Sequence, residues 1–141
     1  MNIRDVMTRE VETVKSDTSI REAAELMRDR DIGVLPVVDD GKVSGMLTDR
    51  DIVIRSTAAG SNPNDAKAGD AASADIAWCY DDDEVKEVVE KMSEHKVRRL
   101  PVMNRSDELV GIVSIGDVAV ESSEGMAGEA LEDISKPNRP K

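Results

Sequence analysis

Gly45-Met46-Leu47-Thr48-Asp49-Arg50-Asp51 and Gly111-Ile112-Val113-Ser114-Ile115-Gly116-Asp117 are one motif written twice: glycine, two apolar residues, a hydroxyl, two free positions, aspartate. Each follows a Leu-Pro-Val segment, Leu35-Pro36-Val37 in the first copy and Leu100-Pro101-Val102 in the second. An apolar run ending in a hydroxyl, with a carboxylate three positions on, reads as a strand turning into a helix. The hydroxyl suits the N-cap, and the carboxylate suits the positive end of the helix dipole.

Working outward, the whole chain falls on itself. At a shift of 65, Pro36 meets Pro101, Asp17 meets Asp82, Ile20 meets Val85 and Met27 meets Met92. One inserted residue makes the shift 66, and Gly45 then meets Gly111, Thr48 meets Ser114 and Asp51 meets Asp117. A period of this length marks two structural repeats.

Each copy has the order β-α-β-β-α. The first pieces, 11–14 and 76–80, are extended. Ser19 and Glu22 have capping-box spacing ahead of the first helix, and Asp81-Asp82-Asp83-Glu84 places acids at the start of the second. Ile20, Ala23, Ala24 and Met27, and likewise Val85, Val88, Val89 and Met92, recur at the spacing of one helical face. Strands at 34–38 and 43–47 flank the hairpin signal Asp40-Gly41, and 100–103 and 109–113 repeat the arrangement. Proline inside the first strand of each hairpin predicts a bulge or an unpaired edge position. Short helices are expected over 49–57 and 115–122. The fold class expected is therefore α/β (α+β), with residues 1–62 as the first repeat and 63–122 as linker and second repeat. Residues 123–141 form a tail, with a short helix over 129–135 and a frayed end over 136–141. Alanine, glycine and serine dominate 58–73, which reads as the linker. One repeat of this size is too small to close its own core, so the two are expected to pack with pseudo-twofold symmetry.

Bulk properties exclude several function classes. The 141 residues carry a formal charge of −11, which argues against a nucleic-acid binder with a basic face and against docking on anionic membranes. One Trp, one Tyr and no Phe leave the core to aliphatic residues. Cys79 is the only cysteine, so no internal disulfide forms. The start Met1-Asn2-Ile3-Arg4-Asp5 has no apolar signal core, and no apolar run approaches a bilayer-spanning length. The expected location is the cytoplasm. One histidine gives no nucleophile–base pair, and neither a Walker loop nor a dinucleotide fingerprint is present.

The repeated Leu-Pro-Val segments and Gly-x-x-Thr/Ser-x-x-Asp turns, in order and at constant offset, resemble the CBS domain. Two tandem copies resemble the CBS pair, or Bateman module, and Asp5-Val6-Met7-Thr8 is similar to the opening of that family's first repeat. The resemblance covers about residues 1 to 122 and is nearest to small bacterial and archaeal proteins that consist only of a CBS pair. It implies ligand sensing rather than catalysis. The ligands implied are adenosine-containing, AMP, ADP or ATP among them, in two clefts between the repeats. It also implies a homodimer and a separate effector protein, with no resident cofactor.

By the same resemblance Asp51 and Asp117 hold the ribose hydroxyls, while Thr48 and Ser114 lie near ribose and phosphate. A carboxylate accepts both hydrogen bonds of a cis-diol. The alternative is that all four residues only cap helices. Arg98 and Arg99 precede the second Leu-Pro-Val and suit phosphate oxygens, unless they pair with the chain's own acids. Their counterparts Gly33 and Val34 are uncharged, which makes the second cleft the better equipped. Arg50 and Lys15 stand at the rim of the first. Trp78, beside Ala77, suits either stacking on adenine or packing as a half-buried residue. Cys79 and His95 lack a metal-binding spacing, so no metal site is expected from them.

Overall fold

Apolar residues at helical spacing become the two long helices. α1 spans Ile20–Arg30, and Ser19 caps it by accepting the Glu22 N–H through its hydroxyl at 3.1 Å. The hairpin β1 (Val34–Asp39) and β2 (Lys42–Thr48) follows, then α2 (Asp49–Asp51), which continues as π-helical turns over Ile52–Thr57. After α3 (Ala68–Ala71) come β3 (Cys79–Tyr80), α4 (Val85–His95), β4 (Arg99–Met103), β5 (Leu109–Ser114), α5 (Ile115–Glu121) and α6 (Met126–Ser135). This computed structural model describes residues 1–121 and 126–135. The ends of the tail reading, 123–125 and 136–141, lie outside the described residues. Its helix is three residues longer at the start than 129–135.

Both hairpins are antiparallel, and both ladders slip one residue past the proline, between Val37 and Val38 and between Val102 and Met103. The bulge thus sits just after Pro36 and Pro101 rather than on them. In α4 all four residues of the expected apolar face are buried; in α1 Ile20, Ala23 and Met27 are, but Ala24 faces solvent.

The chain separates into two compact units whose bounds differ from the repeat bounds. One joins Met1–Val11 to the chain from Ala77, and the other is Glu12–Ile76. The segment that leads into each repeat belongs to the unit of the other repeat. The two leads make matching bonds. Ile3 N–H donates to Asp83 O at 3.0 Å and Ala68 N–H to Thr18 O at 2.7 Å; Arg4 N–H donates to Asp81 O and Gly69 N–H to Ser16 O. Thr8 bridges Ile112, and Ser73 bridges Met46. The end of the expected linker therefore reaches the core: Ala68 and Ala71 are buried with Val14, Ile20, Leu35, Val37 and Leu47. In the other unit Ile3 and Val6 are buried with Cys79, Val85, Met92, Leu100 and Val113.

The crossing explains the glycine that opens each motif. A Cβ on Gly111 would lie 2.7 Å from Met7 Sδ and 2.8 Å from Thr8 O, and one on Gly45 would lie 2.7 Å from Ser73 O. Elsewhere in the unit 12–76, Asp39 accepts bonds from the Ser16 N–H and from the Ser16 and Ser44 hydroxyls, which hold its carboxyl below the usual range.

Ile3→Ala is expected to cost about 2–5 kcal/mol and to act at a distance in sequence. Hydrogen exchange should show amides of Val85–His95 losing protection while those of Ile20–Arg30 keep theirs. Loss confined to Ile20–Arg30 would contradict the exchange of lead segments.

Candidate functional site

Both hydroxyl–carboxylate turns form reciprocal caps. Asp117 N–H donates to Ser114 Oγ at 3.1 Å, and Ser114 N–H donates to Asp117 Oδ2 at 3.0 Å. In the first copy Asp51 N–H donates to Thr48 Oγ1 at 3.1 Å and Thr48 N–H to Asp51 Oδ2 at 2.9 Å. The capping reading therefore describes a real structural role, and it occupies one oxygen of each carboxylate. The other, Oδ1, accepts no hydrogen bond among the described residues. Ser114, Asp117, Thr48 and Asp51 are all half-buried, so the turns are reachable from solvent.

Strand pairing brings the arginines to the second turn. Arg99 stands directly opposite Ser114 in the β4–β5 ladder, and Arg98 O accepts the Ile115 N–H at 2.8 Å. Both arginines are exposed, and neither forms an ion pair among the described residues. The pairing with carboxylates that would have neutralised them does not occur there. β3 runs parallel to β4, so its start, where Ala77 stands, is at the same end of the sheet as Arg99 and Ser114.

Trp78 is held by Tyr80 and by Lys91 of α4. Along an extended segment it shares a side with Tyr80, opposite the one taken by Ala77 and Cys79. Its ring meets Tyr80 edge-on at 4.9 Å, and Lys91 Nζ lies 5.8 Å from the ring centroid while donating to Trp78 O at 2.8 Å. Arg105 covers Tyr80 at 3.9 Å and is tied to Asp82, whose carboxyl it holds below the usual range. Trp78 is thus positioned by packing, 40% exposed, whereas Ala77 packs against the core.

The first turn has the same backbone and the opposite charge. Asp49 N–H donates to Gly33 O at 3.0 Å, matching the Ile115–Arg98 bond. A Cβ on Gly33 would lie 3.0 Å from Asp49 Oδ2, so that carboxylate covers the place where the second copy carries Arg98. Val34 stands opposite Thr48, where the second copy has Arg99 opposite Ser114. Asp49 is the residue that sequence reasoning passed over. The repeat register, which sets it against Ile115, held the signal. Arg50 and Lys15 are exposed, and the observed bonds use their backbone N–H groups.

Cys79 is fully buried on β3, and His95 is exposed at the end of α4. Burial first, then the nearby Asp83 charge, pushes the Cys79 thiol up to about 12. Among the described residues no group of three or more His, Cys, Asp or Glu is placed to hold a metal ion, and no helix is long and apolar enough to cross a membrane.

This arrangement has known relatives. The CBS domain family model matches residues 3–56 and again 68–124. The chain belongs to the CBS domain family. Hypoxic response protein 1 of Mycobacterium tuberculosis is 41% identical over 135 residues, covering 95% of this chain and 94% of that one. A crystal structure of hypoxic response protein I with two coordinated zinc ions superposes with a TM-score of 0.80 at 42% identity, over 87% of this chain and 100% of that one. The CBS domain pair of protein MJ0100, in complex with 5′-methylthioadenosine and S-adenosyl-L-methionine, gives 0.72 at 28% identity, over 85% and 94%. The tandem CBS fold expected from the repeats is thus found.

The buried CBS-repeat cysteine yields a direct test. Native protein at pH 8 should react with a thiol reagent at least about 100-fold more slowly than the unfolded chain, because the thiolate is the nucleophile. Equal rates in the two states would contradict the burial of Cys79.

Proposed function

We propose that this CBS pair is a ligand-sensing regulatory module that takes up an adenosine-containing nucleotide, AMP, ADP or ATP, at the second copy's turn. The observation that carries the reading is the pair Asp117 and Arg99. Asp117 spends one carboxylate oxygen on its cap and keeps the other, and Arg99, opposite Ser114, has no ion pair among the described residues. A carboxylate oxygen accepts from a ribose hydroxyl, and a guanidinium donates to phosphate. Ser114 stands between the two at the strand end. Arg98 adds a second positive charge, and Ala77 offers a small apolar surface for the base at the same end of the sheet. The adenosine ligands named for the MJ0100 CBS pair support this ligand class. The first turn, Thr48 and Asp51, keeps the ribose chemistry, but Asp49 stands against phosphate there.

In this reading the module is a sensor rather than an enzyme. It acts as a cytoplasmic homodimer on an effector protein. Exposed Val53 and Ile54 supply apolar surface suited to a self-interface. Regulation requires that the nucleotide bind two states of the module with different affinity. A second reading, a metal-responsive module, is favoured by the zinc ions of the hypoxic response protein structure. Elemental analysis of the purified protein separates it from the first.

Calorimetry with AMP and with adenosine tests the roles separately. Arg99→Gln is expected to weaken AMP by about 10–100-fold and to leave adenosine unchanged. Asp117→Ala is expected to weaken both, in a protein whose melting shows the fold retained. Absence of binding by AMP, ADP, ATP and S-adenosylmethionine alike would overturn the proposal.

A further inference from the structure

Where the other unit buries Ile3 and Val6, the unit 12–76 has Ala68 and Ala71. The lead segments make matching backbone bonds, and one of these smaller side chains, Ala71, lines a cavity. Its volume is ≈ 350 Å³, within the range of about 300–1,000 Å³ usual for small-molecule sites. Its floor is Ile20, Ala71 and Ser56, exposed by only 2%, 2% and 4%. Ile20 begins α1 and Ser56 lies near the end of the π-helical turns. Gly33, Thr48 and Asp51 do not line it.

Four charged residues line its exposed rim: Arg55, Lys67, Asp65 and Asp70. None of the four belongs to an ion pair among the described residues. Arg55 is anchored by one nitrogen, Nη1, which donates to Ala71 O at 3.2 Å and Ser73 Oγ at 3.5 Å; its Nε and Nη2 have no partner there. Two cations and two carboxylates around a small apolar floor match a ligand that carries both charges and an apolar side chain. A polyphosphate would face both carboxylates, and a bare cation both basic groups.

We propose that this cavity binds a free α-amino acid with an apolar side chain. The carboxylate is held by Arg55 and Lys67, the ammonium by Asp65 and Asp70, and the side chain rests on Ile20 and Ala71. This ligand is independent of the nucleotide proposed for the Ser114–Asp117 turn.

The test is a titration of the nucleotide-free, full-length protein with L-leucine, followed by amide NMR shifts. Saturable shifts are expected at Ile20, at residues 55–56 and at 65–71. Isopentylamine and 4-methylpentanoate, which each lack one of the two charged groups, are expected to bind at least about tenfold more weakly. Ala71→Leu fills the floor and should abolish the shifts. The rim double variant Asp65→Asn with Lys67→Gln, which leaves the core untouched, should weaken binding by at least about tenfold. No saturable shift at these amides up to ~10 mM leucine overturns the proposal. So do equal shifts from either single-charge analogue, or unchanged binding by both variants.

Discussion

The passage of backbone over Gly45 and Gly111 is the tightest constraint in the chain. No Cβ fits at either position, because Ser73 O in one unit and Met7 and Thr8 in the other lie within 2.8 Å of where it would stand. Each passage adds a lead segment to a hairpin edge and delivers its apolar residues to the core behind it. Ile3 and Val6 complete one core, Ala68 and Ala71 the other. Each glycine also opens the run that ends in the hydroxyl–carboxylate turn. The close contact that completes the sheet therefore lies three residues from Thr48 and Ser114. Packing and site share one stretch of strand.

From this shared frame the two copies diverge by charge and by size. Arg98 and Arg99 flank the second turn, while Gly33 and Val34 flank the first, with Asp49 over Gly33. One turn carries two positive charges beside it and the other a negative one. Val6 and Ala71 differ in size: Val6 is buried in one core, while Ala71 stands on the floor of a charged-rim cavity in the other unit. Duplication supplied two equal scaffolds, and a few substitutions gave them different chemistry.

Much of this was legible before the structure. The repeat, both hairpins, the helix faces and the capping role of Thr48 and Ser114 follow from residue spacing, which local geometry obeys. A bulge was one of the two readings that each proline's missing N–H allowed, and it lies one residue further on. Three features were not legible. The exchange of lead segments is a long-range choice, and 58–73, rich in alanine and glycine, reads as linker because small residues look alike in a loop and in a tight core. Ala24 has the spacing of a core residue, yet a methyl group gives little reason to be buried, and it faces solvent. The register set Asp49 against Ile115, but its place over Gly33 showed only in the structure. Trp78 was open to two readings, and the contacts with Tyr80 and Lys91 show what holds its ring.

The central claim is that the turn closing the second copy both caps a helix and receives a nucleotide. An amide NMR map with AMP tests it most directly, because it reports place as well as affinity. The account predicts saturable shifts greatest at residues 98–99 and 114–118, with smaller ones at 48–51. Shifts absent from 98–99 and 114–118 at saturating AMP, or centred on 48–51 instead, would contradict it.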